Sequence, residues 1–120
     1  MEWTNYLGMT NRKELAPMYM LGWGNPTYDA DNTFSSLLAT TGLNSTFSNK
    51  EFDKLVDDGR YELDRTKRAA IYARAEALLH EEAPWLFLFE YEDLYATSKR
   101  LEWQARGDEQ IFVTDMKLRG

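Results

Sequence analysis

Few residues in this chain have the types and spacing that chemistry requires. His80-Glu81-Glu82 opens like a zinc-protease helix, but His80 is the only histidine, so the second imidazole ligand is missing. No cysteine is present, which excludes disulfide frameworks and thiolate metal centres. Glu90, Glu92 and Asp93 could act as a carboxylate pair for hydrolysis. A solvated strand edge is the better reading, because charge there blocks edge pairing. No nucleophile with a base, no metal set and no phosphate loop appears. The expectation is therefore a non-enzyme with no catalytic residue, no metal and no cofactor.

Gly22-Trp23-Gly24-Asn25-Pro26 is different in kind, because its chemistry is recognition. A tryptophan offers a flat apolar wall, and flanking glycines allow close backbone approach. The competing reading is a core aromatic in a glycine turn. Asp29 and Asp31 follow, with turn formation and helix capping as their ordinary roles.

The elements that must position these residues are helices and short strands. Trp3, Tyr6 and Leu7 share a helical face within a loose-ended helix over 1–16, with a turn at Asn11-Arg12. Met18–Leu21 is a short apolar run closed by Gly, Asn and Pro, and predicts a buried strand entering a loop. Asp31 is expected to cap a helix over Asn32–Thr40, with Phe34, Leu37 and Leu38 on one face. Ser48 and Glu51 match a capping box ahead of a helix over Asn49–Glu62 bearing Phe52, Leu55 and Val56. Asp64 is the expected cap of a long helix whose stripe is Ile71, Ala75, Leu78, Leu79 and Glu82, stopped by Pro84. His80 then stands near the negative end of that helix dipole. Trp85–Tyr91, Leu94–Thr97 and Ile111–Leu118 have strand composition. The fold class expected is α+β, with three to four helices packed on short strands.

Composition narrows the partners. The chain has 120 residues, 43% hydrophobic, with aromatic residues at 14% that require a core. Its formal charge is −6, which argues against nucleic acid and anionic membrane surfaces. No signal peptide is visible at the start, and no run approaches a membrane span.

Three stretches in order resemble the C-terminal quarter of family 5 extracellular solute-binding proteins of ABC importers. They are Leu21-Gly22-Trp23 with its acidic loop and Phe34; Phe47 through Val56 with Asp64, Lys67, Arg68 and Tyr72; and Glu82-Ala83-Pro84-Trp85-Leu86-Phe87-Leu88. Trp103–Leu118 fits the family's closing segment. The resemblance implies an α/β-type lobe fragment, the C-terminal part of a two-lobed periplasmic-binding-protein fold. Residues 1–95 would end the second lobe, and 96–120 would be the return crossing and C-terminal segment of the first. The implied function is capture of a peptide or similar small solute between lobes and delivery to ABC permease subunits in the inner membrane, from a periplasmic or extracellular location. The missing N-terminal part of the same protein is then the other partner.

The same resemblance implies that Gly22, Trp23 and Gly24 line the pocket, with Asn25 and Asp29 beside them. Peptide-binding members place an aspartate for the ligand ammonium where this chain has Pro26, which has neither carboxylate nor N–H. Two options stay open: a ligand with no free amine at this point, or a substitute carboxylate from Asp29 or Asp31. The alternative function is a small α+β interaction domain with an aromatic docking surface.

Overall fold

Each helix in the computed structural model, which describes Met1–Gly120, begins at a side chain that satisfies its free backbone N–H groups. α1 (Trp3–Asn11) starts at Glu2, whose carboxylate accepts from the Thr4 and Asn5 amides. It is shorter than expected, because the chain turns at Arg12 and Lys13, the latter at φ 56°. α2 (Ala30–Thr33) runs into a single π-helical turn over Phe34–Leu38, closed by the Ala39 N–H donating to Phe34 O at 2.7 Å. Its cap is Asp29, not Asp31. Tyr28 turns the chain at φ 53°, which leaves Asp29 as the last extended residue and puts Asp31 inside the first turn.

α3 (Lys50–Tyr61) is capped by Asn49, whose Oδ1 accepts from Glu51 N at 2.9 Å and Phe52 N at 3.1 Å. Ser48 stands one residue too early to reach them. Its hydroxyl accepts from Thr40 Oγ1 instead. α4 (Arg65–Glu82) starts at Asp64 as expected, and ends at Ala83 in the left-handed region, φ 45°, ahead of Pro84.

The core is helix on helix. Leu37, Leu38, Phe52, Leu55, Val56, Ala75 and Leu79 form one buried cluster, with Leu21, Phe34, Phe47, Ile71, Leu78 and Trp85 against it. These are the faces the periodicity predicts, with two changes on α4: Tyr72 is buried, and Glu82 is exposed. Tyr72 lies so close to Gly59 of α3 that a Cβ there would sit 2.7 Å from its ring, so glycine is what allows the two helices to approach.

Of the expected strands only the end of Ile111–Leu118 forms, and its partner lies in a stretch with no strand pattern. β1 (Leu101–Glu102) pairs antiparallel with β2 (Lys117–Leu118), in the register Leu101 opposite Leu118. Met18–Leu21, Trp85–Tyr91 and Leu94–Thr97 are extended without a ladder, and Val113–Asp115 is a 3-10 turn. The helices therefore pack on one another, and no β1 or β2 residue enters the core cluster. Composition makes a segment fit for a strand, but a strand exists only where a second backbone accepts its hydrogen bonds. Residues 84–97 make no backbone–backbone hydrogen bond at all.

The exposed area is 9535 Å², against about 6,700 Å² expected of a compact monomer of this mass. The radius of gyration is 18.2 Å, where about 13.6 Å is expected for this length. Leu86, Phe87, Leu88, Phe89, Tyr91 and Leu94 of the extended stretch after α4 are among the exposed large hydrophobic residues.

Capping separates the two candidate residues ahead of α3. Asn49→Ala is expected to cost about 1 kcal/mol, seen as a lower urea midpoint at unchanged slope. Ser48→Ala is expected to stay within about 0.5 kcal/mol. Equal losses would restore the capping box.

Candidate functional site

The segment Leu21–Gly24 leaves the core at Leu21 and runs along the surface. Tyr6 of α1 holds its start by donating its phenol to Met20 O at 2.5 Å. From Leu21 to Gly24 no backbone N–H or C=O takes part in a backbone hydrogen bond. Trp23 is 38% exposed, so it is not sealed in the core. A Cβ on Gly22 would lie 3.1 Å from the Tyr91 ring, and one on Gly24 would lie 3.2 Å from the Glu109 carboxylate oxygens. Both glycines thus permit close approach of this chain's own side chains.

Asn25 and Asp29 turn away from that stretch. Asn25 donates through Nδ2 to Asp29 O at 2.8 Å and to Thr33 Oγ1 at 3.1 Å. Its Oδ1 accepts from Thr27 N and Thr27 Oγ1. Both donors and both acceptor positions are used, so this side chain ties the loop to α2. Asp29 caps α2 through Asp31 N and accepts a two-pronged contact from Arg68 of α4, at 2.8 Å and 2.7 Å. Asp31 in turn holds Arg60 of α3 at 3.1 Å. Each aspartate already faces a guanidinium.

Arg68 gathers three partner residues. Besides Asp29 it donates through Nε to Gly59 O at 2.9 Å, donates to the Tyr72 hydroxyl at 3.2 Å, and lies 4.8 Å from the Tyr72 ring centre. The Arg68 fork, then the Asp31 N–H, hold the Asp29 carboxyl below its usual pKa, with partial burial opposing. Asp29 raises the Arg68 guanidinium in return. Burial and then the Asp31 charge push the Tyr72 phenol up, against Arg68.

The far side of the segment is built by the C-terminal stretch. Tyr28 hydroxyl meets Gly107, where a Cβ would stand 2.6 Å away. Arg106 pairs with Asp108 and lies over Phe112, and it holds the Asp108 carboxyl down to about 2. Tyr95 packs edge-on to Trp103 at 5.3 Å. Partial burial, then Asp93, Glu109 and Asp108, raise its phenol. Tyr91, Glu109 and Arg68 were not singled out as site residues by the sequence. They reach the segment only through contacts dozens of residues apart in the chain, for which no local pattern exists. Two surface depressions lie away from this segment: one of about 630 Å³ beside Asp57, Tyr61 and Ile71, the other of about 130 Å³ beside Thr10, Pro17 and Tyr19.

Asp29 has a depressed folded pKa, so the folded state binds fewer protons than the unfolded chain. Its contribution is full above its unfolded value of about 3.9 and is lost as pH falls through the lower folded value. Acidification below about 3.9 is therefore expected to open the loop, read as faster exchange of the Asp31 amide. In Asp29→Asn the same amide should show no such step; a step of equal size there would assign it to other carboxyls.

No protein-family model matches the chain. Curated proteins do. It is 30% identical over 89 residues to heme-binding protein A of Haemophilus influenzae, covering 71% of this chain and 16% of that protein. It is 32% identical over 92 residues to the dipeptide-binding protein of Escherichia coli, and 32% over 91 residues to di/tripeptide-binding protein 4 of Pseudomonas aeruginosa, covering 72% of this chain and 17% of each. The chain thus spans about a sixth of the length of these relatives, all named as binding proteins. Matching their C-terminal region, the chain belongs to the family 5 extracellular solute-binding proteins.

Proposed function

We propose that this chain is the C-terminal portion of the substrate-binding component of an ABC importer, and that Gly22, Trp23 and Gly24 form one wall of its ligand cleft. The observation that carries this is the open backbone of Leu21–Gly24 beside a partly exposed Trp23. Free N–H and C=O groups at the end of an extended segment take an extended peptide by strand addition, and a flat indole covers its side chain. Residues 1–95 end the second lobe and 96–120 return to the first. A ligand touching both lobes favours the closed form, which the membrane permease then reads in the periplasm or outside the cell.

The surplus surface supports a partner segment in the same protein. Leu86, Phe87, Leu88 and Phe89 are all more than half exposed, and neighbouring positions of an extended chain point to opposite faces. A strand apolar on both faces and unpaired on both edges suits the interior of a sheet. A docking surface of an independent interaction domain would be apolar on one face, so the importer reading is favoured over that alternative.

The ligand's chemistry follows from Pro26 and the two aspartates. Asp29 and Asp31 each hold an arginine, so neither offers an unpaired carboxylate. The solute bound here has no free ammonium group at this wall. Among relatives, the names span dipeptides and heme, which fits a cleft whose selectivity varies within the family.

Calorimetry on the full-length protein tests this with alanyl-phenylalanine and its N-acetyl form. Acetylation is expected to change affinity by less than about threefold, and Trp23→Ala to weaken binding by about tenfold or more, roughly 1.4 kcal/mol. Unchanged binding by Trp23→Ala would remove the wall. Strict dependence on the free amine would overturn the ligand chemistry, and its loss in Asp29→Asn or Asp31→Asn would assign the ammonium partner to that aspartate.

A further inference from the structure

We infer that Arg68 is a positioning residue for the ligand wall, holding the Trp23–Asp29 loop to the α3–α4 core; this rests on the reading of Gly22–Gly24 as that wall. Tyr28 and Gly24 rest on the C-terminal stretch, at Gly107 and Glu109, and few polar links run from the loop to the α3–α4 core. Trp23 and Gly24 make no backbone hydrogen bond, and Asn25 ties the loop only to its own neighbours and to α2. α2 itself is a four-residue helix. Leu21 and Phe34 flank the loop on the core, and the side-chain polar links from the loop and α2 to the long helices run through Asp29 and Asp31.

Arg68 makes the stronger of those two links. Its fork meets both Asp29 oxygens within 2.8 Å, while Arg60 reaches Asp31 through Nε alone, at 3.1 Å and 3.2 Å. The same guanidinium donates to Gly59 O at the end of α3 and rests on Tyr72, whose ring in turn lies against Gly59. One planar cation is therefore fixed by both long helices and grips the last residue of the loop. A lone surface ion pair contributes little. A fork held by backbone and ring on its other sides has lost its side-chain freedom already, so it transmits the position of the core to Asp29. Lysine carries the charge but cannot make the fork and the Gly59 contact together.

Arg68→Lys is the discriminating variant, with Arg68→Met as a second. Hydrogen exchange, read without any ligand, should show the Thr27 and Asp31 amides exchanging about tenfold faster, with the Ala75 and Leu79 amides of α4 unchanged. Exchange that rises equally throughout α4, or not at all at Asp31, overturns the clamp. In the full-length protein, alanyl-phenylalanine and its N-acetyl form should bind about tenfold more weakly to Arg68→Lys. If Trp23→Ala weakens these probes while Arg68→Lys does not, the positioning role fails and the wall stands. If Trp23→Ala leaves them unchanged, the wall itself fails, and the exchange data still decide whether Arg68 holds the loop.

Discussion

The approach of Tyr72 to Gly59 is the contact from which the ordered half of this molecule is built. α3 and α4 cross where α3 has no side chain, and the phenol ring fills the space a Cβ would take. That brings Phe52, Leu55 and Val56 onto Ala75 and Leu79, and it leaves room for Phe34, Leu37 and Leu38 to close the cluster. Phe34 meets both Phe52 and Tyr72 at centroid distances of 5.5 Å and 5.8 Å, so the short second helix is fixed by aromatic edges more than by its own length. Arg68 then sits on the same Tyr72 and carries the arrangement out to Asp29.

From that core the chain reaches outward in segments it does not cover. Pro84–Thr97 is extended and free of backbone hydrogen bonds, and it is apolar from Pro84 to Phe89. An uncovered stretch of this kind is costly in water because both its apolar faces and its edge groups remain solvated. The area exceeds that of a compact chain by an amount comparable to a large permanent interface, on the order of 2,800 Å². This is how a piece of a larger sheet behaves. It agrees with the relatives, each about six times longer than the matched length.

Recognition in such a site depends on what the backbone leaves unused. At Leu21–Gly24 the hydrogen-bonding groups are free, while the polar side chains nearby, Asn25, Asp29 and Asp31, are consumed by the loop and the arginines that hold it. In the proposed site that division would leave binding to backbone and indole, and rigidity to the charged groups. It also changes the meaning of Asp29, which the sequence offers as a ligand carboxylate and the structure uses as a helix cap and an arginine partner.

Local pattern alone determined the helices, their apolar faces and the Asp64 cap, because spacing at three and four residues and the hydrogen-bonding reach of a capping side chain are properties of neighbouring residues. The capping register still slipped by one at Ser48 and by two at Asp31, since the competing side chains differ only in where the preceding backbone turns. Trp23 and its glycines were legible as an unusual stretch, and the motifs around them as a family resemblance. Tertiary structure alone decided that Tyr91 and Glu109 stand over those glycines, that Arg68 holds Asp29 from 39 residues away, and that strand-like segments stay unpaired. A long-range contact depends on where two distant backbones come to rest, and a strand depends on a second strand; neither is written in the residues on one side of the pair.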